Sequence, residues 1–250
     1  MRKFITLAML TASQVFGWAQ YSFTADFNQN QDFTQGVGST GWLGAYGGNN
    51  PSSTFESSGG HLTISDTGGH LEGNANSGHI LYVSLTGDFT AECLLDSLSS
   101  TTFATAGLGA FDPSMTTGSP TVTWIGAYYK GFNGEVGTRS VVDGSSSDFH
   151  PYGLGNSGNL SLYFKMSRVG DVFTQSYSLN GTDFTEINSV TISSLPETVD
   201  VGVWDGAFSA NTSTSVFDSF RVSATPVPEP GTLALAGAGI ACLLACRRKK

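Results

Sequence analysis

Leu160-Ser161-Leu162-Tyr163-Phe164-Lys165-Met166-Ser167-Arg168 alternates residue by residue. In an extended chain Leu160, Leu162, Phe164 and Met166 share one face, and Ser161, Tyr163, Lys165 and Ser167 share the other. A period of two is the mark of a strand with one buried face; a helix would scatter the same apolar residues around its axis. Val169-Gly170, between Arg168 and Asp171, then reads as a two-residue hairpin turn. Asn180-Gly181, where both positions tolerate positive φ, reads as a second hairpin joining 172–179 to 183–187. Moving outward, Phe89, Ala91, Cys93 and Leu95 face one way, with Thr90 and Glu92 opposite. Phe173, Tyr177 and Leu179 follow the same rule with Gln175 as an exception. Val216, Phe220 and Val222 do so with Asp218 breaking the pattern. Further strands are expected at 62–65, 80–85, 105–111, 122–129 and 199–204. No stretch of this region holds a helical period, and no internal repeat recurs at a fixed spacing. The expectation is an all-β fold of about ten to thirteen antiparallel strands in a two-sheet sandwich.

Composition agrees. Charged residues make up 12% of the chain, about half the usual share. The 32 glycines and 17 phenylalanines suit short strands joined by many turns. Between Gln20 and Pro230 five bases stand against all 20 acids, so that stretch carries −15. Such acidity repels phosphate backbones and argues against nucleic acid as a partner. Its plainest use is solubility. Cys242 and Cys246 lie in an apolar C-terminal run, which leaves Cys93 alone in the stretch before it. An exported domain with one cysteine has no intrachain disulfide framework, and Cys93 reads as a small buried apolar residue.

The other six bases sit at the chain ends. Arg2 and Lys3 precede an apolar core, and Gly17-Trp18-Ala19 places small residues at the −3 and −1 positions of a cleavage site. Residues 1–19 read as a secretory signal peptide, cut between Ala19 and Gln20. Residues 20–225 form the ectodomain. Val227-Pro228-Glu229-Pro230 forces a break. An apolar run at 232–246 follows, then the basic stop Arg247-Arg248-Lys249-Lys250. The run is short for a membrane span of about 20 residues, but four terminal cations resist translocation and hold that end in the cytoplasm. A short C-terminal transmembrane helix is expected.

Residues 226–250 resemble the PEP-CTERM sorting domain: a Pro-Glu-Pro motif, an apolar segment and a basic cluster, in that order. The resemblance implies recognition by an exosortase, a membrane protease that cuts near the motif. It also implies a cell-surface or extracellular-matrix destination linked to exopolysaccharide. A second resemblance covers most of 20–224. Arg168-Val169-Gly170, Ser178-Leu179-Asn180-Gly181 and the closing Phe217-Asp218-Ser219-Phe220-Arg221-Val222 are similar to the concanavalin A-like, laminin-G jelly-roll superfamily. That superfamily includes glucanases, lectins and adhesion modules, so fold alone decides no function.

The glucanase members carry clustered carboxylates on one strand. Here the nearest pair, Glu92 and Asp96, lies about 13 Å apart along a strand, too far for a retaining mechanism. No nucleophile elbow, phosphate loop or H-E-x-x-H motif is present; the Gly-rich 36–48 stretch reads as a loop. His61, His70 and His79 are spaced nine apart and read as polar strand-end residues. The resemblance implies calcium as the plausible metal, with Asp26, Asp205 and Asp218 as candidate ligands. Trp42, Tyr46 and Tyr152 are candidate aromatics for stacking on sugar rings, whereas Trp124 and Trp204 read as core. The expectation is a non-enzymatic, exported protein that binds glycan or matrix polysaccharide. A structural envelope protein without a specific ligand and an extracellular polysaccharide hydrolase are the alternatives.

Overall fold

The computed structural model describes residues 21–46, 53–67, 78–100, 104–117, 123–155, 161–207 and 212–225. The expected signal peptide with its expected cut between Ala19 and Gln20, His70, and the sorting segment 226–250 with the expected transmembrane helix at 232–246 lie outside the described residues. Among the described residues no helix is long and apolar enough to cross a membrane.

Sixteen strands are described. The first five are β1 (Tyr21–Ala25), β2 (Gln31–Asp32), β3 (Gly44–Tyr46), β4 (Thr54–Ser58) and β5 (His61–Thr67). There follow β6 (His79–Thr86), β7 (Phe89–Ser100), β8 (Ala104–Phe111), β9 (Trp124–Lys130), β10 (Glu135–Val142) and β11 (Ser145–Gly153). The last are β12 (Leu162–Val169), β13 (Val172–Ser178), β14 (Thr185–Thr191), β15 (Thr198–Ala207) and β16 (Thr212–Ala224). One sheet runs β14-β13-β12-β7-β16-β5-β4-β2, with β1 also on β16; the other runs β11-β10-β9-β8-β15-β6-β3. Every described pairing is antiparallel, for instance β12 on β7 and β15 on β6. The two-sheet sandwich is as expected, with more strands than the sequence suggested. The extra ones are short or polar edges: β11 reads SSSDFHPYG and is almost wholly exposed, so no apolar period announces it.

The inward row of β12 is Leu162, Phe164, Met166 and Arg168, all buried. It meets Leu95, Cys93, Ala91 and Phe89 of β7 in register. Cys93 is a buried free thiol whose pKa burial pushes well above its ordinary value. Three local expectations need correction. The tight turn after β12 is Gly170-Asp171, one residue later than read, because Val169 pairs with Val172 and Gly170 takes φ +58°. Asn180-Gly181 sits inside a longer loop, since Tyr177 pairs with Thr185. There the Asn180 side-chain oxygen accepts from the backbone N–H groups of Thr182 and Asp183, both at 2.9 Å, so the loop is held by the side chain rather than by a two-residue turn. In β16, register shifts around Phe217 change the parity. Phe217, not Val216, therefore shares the core with Phe220 and Val222, which is why Asp218 interrupted the pattern.

Arg168 explains the R-x-G motif. Its guanidinium is buried, donates from Nε to Gly170 O at 2.8 Å and from Nη1 to Glu197 O at 3.0 Å, and stacks 5.1 Å from the Phe173 ring centroid. Burial lowers its pKa, while Asp171, Asp88 and Glu197 oppose that. An ammonium cannot reproduce the two-directional fork. Arg168→Lys is expected to lose about 1.5–3 kcal/mol, the worth of a charged hydrogen bond, read as a lower urea midpoint at unchanged slope.

The outer face of the seven-stranded sheet carries a second core. Gly202, Gly109 and Gly126 stand side by side across β15, β8 and β9. The rings of Trp204, Tyr128, Phe111 and Trp124 come from the flanking rows and are fully buried. A Cβ at Gly126 would stand 3.0 Å from both Trp124 Cζ3 and Trp204 Nε1. The two indoles thus close over Gly126 and the Phe111 ring over Gly109, and Met115, from the turn Pro113–Thr117, packs into the same cluster.

Candidate functional site

An open cleft lies where β1 leaves the nine-stranded sheet. Its floor and one wall are Trp42, Phe27 and Phe33, and its rim carries Asp26, Asn28, Gln29, Ser39, Thr40 and Ser57 around a cavity of about 180 Å³. The local sequence builds it. Asp26 accepts from the Asn28 backbone N–H at 3.3 Å and from Asn28 Nδ2 at 2.7 Å. That tight turn holds Phe27 at φ +52°, a conformation non-glycine residues rarely adopt and one concentrated at functional sites. The Phe27 ring then stacks on Trp42, with centroids 6.1 Å apart and planes 10° apart. Trp42 is wedged edge-on against Phe23 at 5.1 Å and against Phe220 at 4.8 Å. Asp32 caps the 3₁₀ turn Phe33–Gln35, its Oδ1 accepting from Thr34 N at 2.9 Å, which turns Phe33 inward. Ser57 donates to Gln29 O at 2.5 Å and Thr40 to Val37 O at 2.6 Å, so both rim loops are tied down. The N–H groups of Asn28, backbone first, hold the exposed Asp26 carboxyl below its usual range. Asp26 is the cleft's single ionisable group.

Two of the residues singled out in the sequence meet here, Asp26 and Trp42. Trp42 was expected as an exposed stacking surface; it is 5% exposed and belongs to the core. It serves as floor, because Phe23 and Phe220 need its ring more than solvent does. Tyr46 is half-buried and packs against the second core. Tyr152 is half-buried, donates to Glu186 O at 3.2 Å and packs 5.0 Å from the Tyr177 ring, away from the cleft. The three aspartates do not converge. Asp218 pairs with His61 at 3.3 Å, both about half-exposed.

Asp205 is fully buried and lies within 4.8 Å of Asp66 and His79, ligand atom to ligand atom. Ser213 donates to Asp205 Oδ1 at 2.5 Å, Ala207 N–H donates to Asp66 Oδ2 at 3.0 Å, and His79 Nδ1 stands 3.3 Å from Asp66 Oδ2. Burial pushes the Asp205 carboxyl up to about 7, against the pull of Ser213. Among the described residues no other three His, Cys, Asp or Glu side chains gather this way. Glu92 and Asp96 are also apart, Glu92 held by Arg221 Nε at 2.9 Å and Asp96 by Ser161 at 3.0 Å. The amides and hydroxyls of the cleft were missed because they come from turns with no motif. Asp66 was missed, and His79 was read as a polar strand-end residue although it is fully buried; each extends an alternating apolar row, Leu62-Ile64-Asp66 and His79-Leu81-Val83.

Residues 66–225 match the family described as "Protein of unknown function (DUF1349)", and residues 226–249 match the PEP-CTERM protein-sorting motif. That motif marks an exported protein, anchored in the membrane while an exosortase acts and then carried to the cell surface. No curated protein matches the chain. Solved structures do. One is a functionally unknown protein from Saccharomyces cerevisiae: TM-score 0.59, 16% identity, 82% of this chain and 100% of that one. A xylan β-1,4-xylosidase from Bacillus halodurans follows at 0.56 and 13%, over 80% of this chain and 39% of its own. LamA from Z. galactanivorans, in complex with laminaritriose and laminaritetraose, gives 0.55 and 10% over 81% and 98%. At such identities the likeness is one of fold alone, the two-sheet antiparallel sandwich expected from the sequence.

Proposed function

The chain belongs to the DUF1349 family and carries a PEP-CTERM sorting motif, and from that premise we propose that it is a non-enzymatic surface protein that binds extracellular glycan in the cleft beside Asp26. The observation that carries this reading is the composition of the cleft: an aromatic floor under a rim of amides, hydroxyls and one ionised carboxylate. Sugar rings present an apolar face and a ring of hydroxyls, which such a lining matches on both counts. A cavity of about 180 Å³ suits one sugar unit, a chain end or a branch. Glycoside hydrolysis needs two carboxyl groups flanking the bond, and among the described residues Asp26 is the one carboxyl group lining the cleft, which favours binding over turnover. The xylan β-1,4-xylosidase and the LamA complex with laminaritriose and laminaritetraose lend the glycan class, by fold only. The apolar segment at 232–246 then serves as a temporary membrane anchor, and delivery ends in the polysaccharide-rich surface layer.

A glycan array with the full chain in detergent is the test. Saturable, sugar-competed binding is expected, weakened about tenfold by Asn28→Ala, the equivalent of one lost hydrogen bond of about 1.4 kcal/mol. No glycan bound, as for a structural envelope protein, overturns the reading. So does polysaccharide turnover, as for a hydrolase, or binding indifferent to Asn28→Ala.

A further inference from the structure

We propose that Asp66, His79 and Asp205 bind a divalent first-row transition ion of the zinc class between the two sheets, at the end of the sandwich away from any glycan cleft residue. The placement follows from register. Asp205 of β15 lies directly opposite His79 of β6 in one sheet, and Ser213 of β16 opposite Asp66 of β5 in the other. All continue the inward rows of their strands, so two cross-strand pairs face each other across the interior, each residue at most 2% exposed.

This cluster leaves polar atoms unmet where none should be. His79 Nδ1, Asp205 Oδ2 and Ser215 Oγ are buried without hydrogen-bond partners. Such orphans are rare in native interiors and point to a missing ion or water. The histidine is set for a metal: its Nε2 is engaged by the Ser53 hydroxyl. A proton on Nε2 turns the bare Nδ1 lone pair toward the carboxylates, the arrangement in which a neighbouring group fixes the tautomer of a ligating histidine. With the proton on Nε2, that lone pair and the two carboxyl groups converge on one point, as the donors of a bound cation do.

Geometry and charge choose among cations. The 3.3 Å separation of His79 Nδ1 and Asp66 Oδ2 matches the edge of a tetrahedron with metal–ligand bonds of about 2.0–2.1 Å. Calcium takes six to eight oxygens at about 2.3–2.6 Å, and an imidazole is foreign to that set; mixed imidazole and carboxylate donors suit zinc and its neighbours. Two carboxylates, a neutral imidazole and a divalent ion sum to zero charge, a state that an apolar interior accepts far more readily than two unpaired carboxylates. Ser215 Oγ lies close to Asp205 and offers a fourth donor.

The test uses the full chain in detergent, stripped with a chelator and reloaded with Zn²⁺ or Co²⁺ near neutral pH. Elemental analysis is expected to give one zinc per chain, with a higher Tm than the stripped protein. Cobalt is expected to give the visible bands of a tetrahedral nitrogen–oxygen site. Asp205→Asn and His79→Gln should each abolish both signals, Ser53→Ala should weaken zinc binding about 10–100-fold, and His61→Gln should change nothing. Absence of stoichiometric metal in the wild-type chain overturns the site. So does metal that persists in both ligand variants, or a cobalt spectrum with thiolate charge-transfer bands, which would trace the ion to cysteine. If a ligand variant does not fold, the wild-type stoichiometry and cobalt spectrum decide.

Discussion

Alanine at Gly202 is expected to destabilise the protein by more than about 3 kcal/mol, beyond the usual range for an overfilled interior. The added Cβ would fall inside the van der Waals envelope of the Leu81 carbonyl oxygen and 2.8 Å from Tyr82 Cα. Both are backbone atoms of β6, the strand paired with β15 at that point, so no rotamer change relieves the clash and the ladder itself must move. Gly107 meets the Ala127 carbonyl oxygen in the same way and should behave alike. Gly153 is the control: nothing lies within 4 Å of its would-be Cβ and its φ is not in the left-handed region. Gly153→Ala should fall between neutral and about 1 kcal/mol stabilising, through the unfolded chain alone. Urea denaturation of the three variants checks this, and a Gly202→Ala midpoint equal to wild type would refute the close approach.

Phe220→Ala carries the second large effect, about 3–5 kcal/mol for a buried phenylalanine whose site cannot collapse. The ring is fully buried, 4.8 Å from Trp42 and 6.1 Å from Phe23. Trp42 is itself braced by Phe27 and Phe23, so little can move into the void. Against a total stability of about 5–15 kcal/mol the loss should bring the variant close to its unfolding threshold. Val169→Ala, at a position 68% exposed, should shift the midpoint by no more than about 0.5 kcal/mol. A Phe220→Ala cost below about 1 kcal/mol would contradict the packing described here.

Sheet strands with one wet face were legible: the rows of β7 and β12 were read residue for residue, because their alternation reflects a single buried side. The second core was half legible. Trp124 and Trp204 were rightly placed inside, yet nothing in the sequence tells that they close over Gly126 on the outer face. The bulged stretch of β16 misled, since the register shift there puts Val216 on the opposite face from Phe220 and Val222. The cleft was hardly legible at all. Asp26 and Trp42 were picked for their chemistry, but what unites them is the left-handed Phe27 and the loops carrying Ser39 and Thr40, a tertiary arrangement with no spacing rule. Asp205 was named in the sequence as a candidate calcium ligand with Asp26 and Asp218, and the three do not converge. Its true neighbours, Asp66 and His79, come from another sheet and the next strand, which only register reveals.

The position of β16 has a mechanical consequence. It lies inside its sheet, hydrogen-bonded to β7 along its length, to β5 over one half and to β1 over the other. It ends at Ala224, two residues before the sorting motif begins. A pull on the tail while the polypeptide is still tethered therefore acts along the axis of β16, in shear, and loads its ladders together instead of peeling them one rung at a time. Tyr21 is paired with Ala224, so the same row of bonds also clamps the opening strand, and the load-bearing junction closes at the point where the leash attaches.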